Sequence, residues 1–293
     1  MRKKLKDFSE GSLYSNGDRD KAARMVAKGE IVGIFNRGVC ALWFDGENVN
    51  AVKKVWQVKG EGRRGRPIAL TLSLDEFVKM VDSDTLPPNE RKFLTSPDLK
   101  FKIGSLCFIR APIQKNLINI IPHHARSFDE NGVCMIQNWD SFGHTPSEKF
   151  LSRVKTLGVR HPAVTSMNIT GQPEIVDQEE GALFCRKFNI PLFLRDPKAH
   201  PKHFGSYTIF TFNSRGIILE RDGNIPGKLF KKIFDLPINT KNAKFSKHPQ
   251  LNFPYKIFNT LSAIQLRAAI LWFLKGERPA WIKAKVAKYK NYV

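Results

Sequence analysis

The sequence predicts an α/β (α+β) protein organised on one sheet of mixed strand direction, and three observations predict it. Short apolar runs rich in β-branched and aromatic residues recur along the chain and read as buried strands. Stretches of helical periodicity stand among them. The two kinds of segment do not alternate strictly, which argues against a purely parallel βαβ arrangement. The 293 residues are 42% hydrophobic, enough for one large domain or a domain with an appendage.

Residues 20–28 read as an amphipathic helix with Ala22, Ala23, Met25 and Val26 as its apolar contacts. Residues 31–35 are nearly all apolar and read as a central strand, and Asn36-Arg37-Gly38 turns the chain into a second strand, 39–44. Ala51, Val52, Val55, Trp56 and Val58 recur at helical spacing in a helix that ends near Lys59-Gly60. A basic loop, Gly62-Arg63-Arg64-Gly65-Arg66, then feeds a strand over 67–72. Ser73 is a helix N-cap with Glu76 at the capping-box position. Residues 83–100 are polar and contain Pro, so they read as irregular or as a short helix.

Strands follow at 105–110, 117–121 and 132–136, then a helix at 147–157 and a strand running into Thr165. Residues 177–188 form an amphipathic helix and 190–194 a strand. Residues 206–212 and 216–219 read as a hairpin around Asn213-Ser214-Arg215, with Arg221-Asp222-Gly223-Asn224 as a turn. Thr260 and Gly276 bracket a last apolar helix within 257–276, and Arg267 there argues against a membrane span. That helix packs on the protein, with a membrane-surface helix as the alternative.

The chain carries 48 Lys and Arg against 27 Asp and Glu, a net charge of +21. Such a balance points to a polyanionic partner, with RNA or DNA ahead of an acidic membrane surface, although a generally basic proteome produces it too. Cys40, Cys107, Cys134 and Cys185 are too far apart in sequence for metal-ligand pairs and sit in apolar runs, as buried, reduced thiols of a cytosolic protein do. His123-His124 and His200-x-x-His203 lack carboxylate or thiol company, so no metal site is expected. Met1 to Lys6 is basic, and no apolar segment follows it as in a secretory signal.

Two stretches carry chemistry. Residues 162–173 lead an apolar strand into Ser166-Met167-Asn168 and then a Gly171/Pro173 turn. Period two puts Ser166 and Asn168 on one side, where short polar side chains and backbone N–H groups suit phosphate oxygens; an ordinary Ser/Asn turn reads the same way. The second is the loop at 59–66. Arginine forks pair with phosphates bidentately and lysine acts as a mobile point charge, while a merely solvated loop is the alternative.

These parts, followed by Gly205-Ser206-Tyr207-Thr208-Ile209 and Ile218-Leu219-Glu220-Arg221-Asp222-Gly223-Asn224-Ile225, resemble the YrdC/TsaC family over roughly residues 22–225. These are the threonylcarbamoyl-AMP synthases of tRNA modification. The resemblance implies a twisted mixed sheet with flanking helices and a basic concave face. It implies a reaction of L-threonine, bicarbonate and ATP, with magnesium assisting, that yields threonylcarbamoyl-adenylate and pyrophosphate. It puts Lys59 and one of Arg63, Arg64 and Arg66 on phosphates, and Ser166 and Asn168 on the nucleotide phosphate or the intermediate. Ser206 and Arg221 complete the nucleotide pocket, and Lys59, Arg63, Ser166 and Asn168 form the catalytic set. No transition metal is implied, and the partners are tRNA and proteins of the same pathway.

The sequence departs from the family's pattern in three places. The first strand, which ends near Pro-Thr-Glu in the family, reads Phe35-Asn36-Arg37, with a cation where an acid is expected. The Lys-x-Arg loop reads Lys59-Gly60-Glu61. The strand that carries Val-Arg-Val-Pro reads Met135-Ile136-Gln137-Asn138, without an Arg. Each arginine lost forfeits about 1.5–3 kcal/mol of charge-assisted contact.

The expected organisation is a basic extension over 1–20, the YrdC-like domain over 21–225 and a basic, mostly helical appendage over 226–293. That appendage holds 14 Lys and Arg against 2 Asp and Glu, interleaved with aromatics such as Phe230, Phe234, Trp281 and Tyr289. Lysines such as Lys228, Lys231, Lys232, Lys283 and Lys285 suit phosphate pairing while the rings stack on bases; equally, the rings pack on the core and the lysines are only solvated. Two functional classes follow. One is an ATP-using synthase serving tRNA modification, and the other is an inactive YrdC-like module that binds RNA. Both are cytoplasmic, with no membrane role.

Overall fold

The computed structural model describes residues 7–60, 67–199, 205–245 and 261–274. The chain enters through β1 (Ser9–Ser12) and turns into α1 (Asn16–Ala27), which Ser15 caps by accepting from the Asp18 N–H. The helix thus starts four residues ahead of the expected position. β2 (Val32–Asn36) and β3 (Val39–Asp45) form a hairpin. α2 (Val49–Lys59), β4 (Ala69–Leu70) and α3 (Leu74–Met80) follow, and both halves of the Ser73/Glu76 capping box form.

Next come α4 (Pro88–Leu94), α5 (Leu99–Ile103), β5 (Cys107–Pro112), β6 (Arg126–Phe128) and β7 (Cys134–Trp139). The strand expected at 117–121 is instead a 3-10 helix, Lys115–Ile120. Its backbone satisfies itself locally, Leu117 N donating to Gln114 O, and β6 takes the place beside β7. α6 (Thr145–Thr156), β8 (Pro162–Ser166), α7 (Gln178–Lys187) and β9 (Leu192–Arg195) lead to the hairpin β10 (Thr208–Asn213) and β11 (Gly216–Asp222). Arg221 and Asp222, expected in a turn, complete β11. α8 (Gly227–Phe234), β12 (Ile238–Asn239), β13 (Lys244–Phe245) and α9 (Ala263–Leu274) close the described chain. Ser262 and Gln265 exchange backbone bonds at the start of α9, a reciprocal cap; Thr260, expected there, and Gly276 lie outside the described residues.

Among the described residues the strands form one mixed sheet in the order β1-β9-β2-β3-β8-β4-β7-β5-β10-β11-β12, with β6 on β7 and β13 on β11. One face is covered by α2, α3, α4, α5, α7, α8 and α9 over a core that includes Phe35, Leu42, Phe77, Phe193, Phe210 and Phe212. Of the described helices, only α1 and α6 lie on the other face, packed over Val32, Ile34, Trp43 and Val164. Trp43 stands edge-on to Trp139 at 5.9 Å and to Phe150 at 5.6 Å. α1 and α6 leave the strands beyond β8 uncovered on this face, and that gap positions the site. No helix among the described residues is long and apolar enough to cross a membrane.

The packing does not break at residues 20 and 225. β1 pairs with β9 and Leu13 is fully buried, so the first segment belongs to the sheet. α8 buries Leu229, Phe230, Ile233 and Phe234, with Phe230 and Phe234 each 4.8 Å from Phe210, so this part of the basic tail packs on the core through its aromatics.

All four cysteines are buried thiols, and burial raises the pKa of each, that of Cys185 to about 12. The folded chain therefore keeps protons that the unfolded chain releases above about pH 8.5, so stability is lost as pH rises past that value. We expect 5,5′-dithiobis(2-nitrobenzoate) at pH 8 to label no thiol of the native protein and four in denaturant; fast labelling of the native protein contradicts this packing.

Candidate active site

Lys59 is the last residue of α2 and is 3% exposed. Gly60 follows at φ +76°, a left-handed conformation that lets the chain leave the helix at once. The Lys59 ammonium crosses to the end of β8, donating to Ser166 O at 2.6 Å and Asn168 Oδ1 at 2.6 Å, with Ser166 Oγ at 3.4 Å. Ser166 Oγ donates to Asn168 Oδ1 at 2.8 Å, and Asn168 Nδ2 donates to Gln172 O at 2.7 Å. Thr170 N returns to Lys59 O at 2.8 Å. The alternation read from the sequence holds: Ser166 and Asn168 meet on one side, and Met167 is buried on the other. Three of the expected catalytic residues, Lys59, Ser166 and Asn168, thus form one hydrogen-bonded cluster. Arg63, Arg64 and Arg66 lie outside the described residues, as does Glu61.

Ser166 opens onto a cavity of about 560 Å³ over the uncovered strands, and Ser206 and Arg221 line the same cavity. Its apolar wall includes Phe108, Trp139 and Tyr207, with Tyr207 6.1 Å from Phe108 and 5.8 Å from Trp139. Strand register sets a row across five strands: Trp139 opposite Phe108, Phe108 beside Ile209, Ile209 opposite Arg221, and Arg221 beside Lys244. Burial lowers the pKa of the Arg221 guanidinium, which donates to Tyr207 O at 2.7 Å. Glu174 accepts from Ser206 N at 3.1 Å; burial raises its pKa, but hydrogen bonds from the backbone and Ser206, with the charge of Arg221, hold it below the usual value. Gly223 is required by close approach, because any Cβ there lies 2.3–2.5 Å from the backbone of residues 206–208.

A second row lies one pleat away. Gln137 of β7 stands opposite Arg110 of β5, and Arg110 lies beside Thr211 of β10. Arg110 Nη1 donates to both oxygens of Glu220, at 2.7 and 2.9 Å, and Nη2 donates to Gln137 Oε1 at 2.9 Å. Thr211 also donates to Glu220. The β10–β11 register slips between Ile209 and Phe210, which pair with Arg221 and Leu219, so Glu220 is the extra residue of a bulge. The bulge is what lets consecutive Glu220 and Arg221 both line the cavity.

Sequence reasoning missed Arg110, Glu220, Glu174 and Lys244. Arg110 had a signal, a lone charge in the apolar run 107–111 on the same strand face as Phe108. The bulge that aims Glu220 left none. Arg37, read as a cation in the family's acid position, leaves the cavity altogether. It sits at φ +49° in the β2–β3 turn, 4% exposed, donating to Ser105 Oγ at 2.6 Å and Gly143 O at 2.8 Å. Only Asn36 of that turn lines the cavity. Lys228, Lys231 and Lys232 belong to α8, on the opposite face of the sheet, and Lys283 and Lys285 lie outside the described residues.

No family model and no curated protein sequence matches the chain. Solved structures do. P. abyssi Sua5, in complex with L-threonine, superposes with a TM-score of 0.58 at 18% identity, over 79% of this chain and 64% of that one. The chain therefore spans just under two thirds of Sua5. E. coli YciO superposes with a TM-score of 0.54 at 13% identity, over 78% of this chain and 98% of its own. The chain has a YrdC-like fold. HypF, in a phosphate- and nucleotide-bound form, matches 70% of the chain through 29% of its own length, with a TM-score of 0.50 at 16% identity. The YrdC-like core accounts for the open sheet face, and the strand-end cluster lies at its rim.

Replacing Lys59 by Met removes the donor that ties α2 to the β8 loop. We expect a loss of about 1–3 kcal/mol in urea unfolding, with increased amide exchange at residues 166–172. Unchanged exchange there contradicts the assigned bonds.

Proposed function

We propose that this protein is an ATP-using synthase of YrdC type, which combines L-threonine, bicarbonate and ATP into threonylcarbamoyl-adenylate for tRNA modification. The observation that carries the reading is the Lys59–Ser166–Asn168 cluster, joined through one cavity to Ser206 and Arg221. The likeness to Sua5 in complex with L-threonine and to HypF in a phosphate- and nucleotide-bound form supports it. In this reading the carbamate oxygen attacks the α-phosphorus and pyrophosphate leaves. The protein's task is to position the reactants and neutralise the charge that develops on the leaving group. Lys59 and the Ser166–Asn168 loop hold phosphate oxygens at the rim. Arg221, aimed by Tyr207 O, holds the nucleotide at the aromatic wall. The sequence expectation adds one of Arg63, Arg64 and Arg66, which lie outside the described residues, as a further phosphate contact.

The described residues do not form a magnesium site of their own. The cavity's carboxylate, Glu220, is engaged by Arg110 and Thr211, and no cluster of three potential ligands occurs among the described residues. No step is assigned to a metal.

A second reading, an RNA-binding protein without turnover, is favoured by the withdrawal of Arg37 and by the ion pair that occupies Arg110. In that reading, tRNA meets the basic tail, including Lys228, Lys231 and Lys232.

The test is pyrophosphate release from ATP with threonine and bicarbonate, compared between the full chain and a Lys59→Ala, Asn168→Ala double variant. Threonine-dependent release, reduced at least a hundredfold in the variant, is expected from the loss of two phosphate contacts. No release, with salt-sensitive tRNA binding intact, overturns the synthase reading in favour of the second.

A further inference from the structure

The cavity has a charge arrangement that the resemblance does not account for. Three cations line it, Arg110, Arg221 and Lys244, and Glu220 is the one acid among its described lining residues. The strand expected to carry an arginine has Gln137, and the residue directly across the β5–β7 pair is Arg110, in hydrogen-bond contact with it. Arg110 thus brings a guanidinium to the cavity from the strand beside β7. Its position is built. Gln137 holds Nη2, Glu220 holds Nη1, and Nε is buried without a partner among the described residues.

We propose that Arg110 is the oxyanion receptor at the centre of the cavity and that Glu220 is its internal competitor. The inference rests on the nucleotide reading of this cavity and specifies what the middle of it binds. The Arg110 and Glu220 side chains are 21% and 31% exposed, so the pair opens to the cavity and is held in partial contact with water. The pair faces the open cavity, and an oxyanion that matches the guanidinium and is held by further contacts displaces the carboxylate. The bulge gives Glu220 its aim, and Thr211 holds it there. Glu220 thereby sets a threshold. Small anions that make no other contact do not release Arg110, whereas a phosphoryl group, or a carboxylate held in place by the rest of its substrate, does. Arg110, Arg221 and Lys244 then face the ligand with one compensating charge fewer.

The experiment is calorimetric titration of the full chain with sodium pyrophosphate and, separately, L-threonine. Wild type is compared with Glu220→Gln, Thr211→Val, Arg110→Gln, the Glu220→Gln, Arg110→Gln double variant and Lys59→Ala, each checked for a cooperative unfolding transition well above the titration temperature. Glu220→Gln is expected to tighten oxyanion binding about tenfold, the worth of one charge-assisted hydrogen bond. Thr211→Val, which loosens Glu220 without removing its charge, shifts binding the same way by less and keeps the test open should Glu220→Gln fold poorly. Arg110→Gln weakens binding at least tenfold and, combined with Glu220→Gln, abolishes the gain. A gain for pyrophosphate alone assigns Arg110 to a phosphoryl group; a gain for threonine alone assigns it to a carboxylate. Weaker binding in Glu220→Gln overturns the competitor role. If neither Glu220→Gln nor Arg110→Gln moves either affinity by more than twofold while Lys59→Ala removes pyrophosphate binding, Arg110 is not the receptor and the nucleotide reading stands. If neither ligand binds any correctly folded variant, both fail.

Discussion

The Lys59 ammonium is the contact on which the rest of the site depends. It stands at the end of a helix that covers one face of the sheet and bonds to a loop that rims the other face. Its two shortest bonds go to a backbone carbonyl and an amide oxygen, which fix the position of the charge. The return bond from Thr170 N to Lys59 O ties helix end and loop into one unit. Without that bridge, Ser166 and Asn168 are residues of an ordinary turn. With it, hydroxyl, amide and ammonium converge in one cluster, which reaches the cavity through Ser166.

The cavity exists because the two faces of the sheet are covered unequally. Among the described residues, seven helices cover one face, while α1 and α6 stop over β8 on the other. The strands left open carry an aromatic wall, Phe108, Trp139 and Tyr207, beside a row of charge, Gln137, Arg110 and Glu220. A wall of rings suits the flat apolar face of a base, and the charged row suits oxyanions. The fold has also moved its cations. Arg37 bonds to Ser105 and Gly143 away from the cavity, and Arg110 lines the cavity from β5, across from Gln137.

Much of this was legible in the sequence because it is local. The Ser73/Glu76 box, the helix ending at Lys59-Gly60 and the hairpin around Asn213-Ser214-Arg215 each follow from spacing and turn chemistry within a few residues. So does the opposition of Ser166 and Asn168 to Met167, since strand alternation needs no partner. The misses are non-local. Residues 117–121 have strand composition, yet local i→i+3 bonds claim their backbone and a different segment pairs with β7. Residues 9–12, SEGS, have little strand character and pair only because β9 offers an edge. Whether Arg110 serves the cavity depends on cross-strand register, and Glu220 faces it only through a bulge; neither is visible without the pairing.

The central claim is that the open face between Lys59 and Arg221 is a nucleotide site. A crystal structure of the full chain with a non-hydrolysable ATP analogue and L-threonine tests it most directly. Phosphate oxygens are expected within hydrogen-bond distance of Lys59, Ser166 and Asn168, with the base against Phe108, Trp139 and Tyr207. Nucleotide bound elsewhere on the protein, or a vacant cavity at saturating nucleotide, contradicts it.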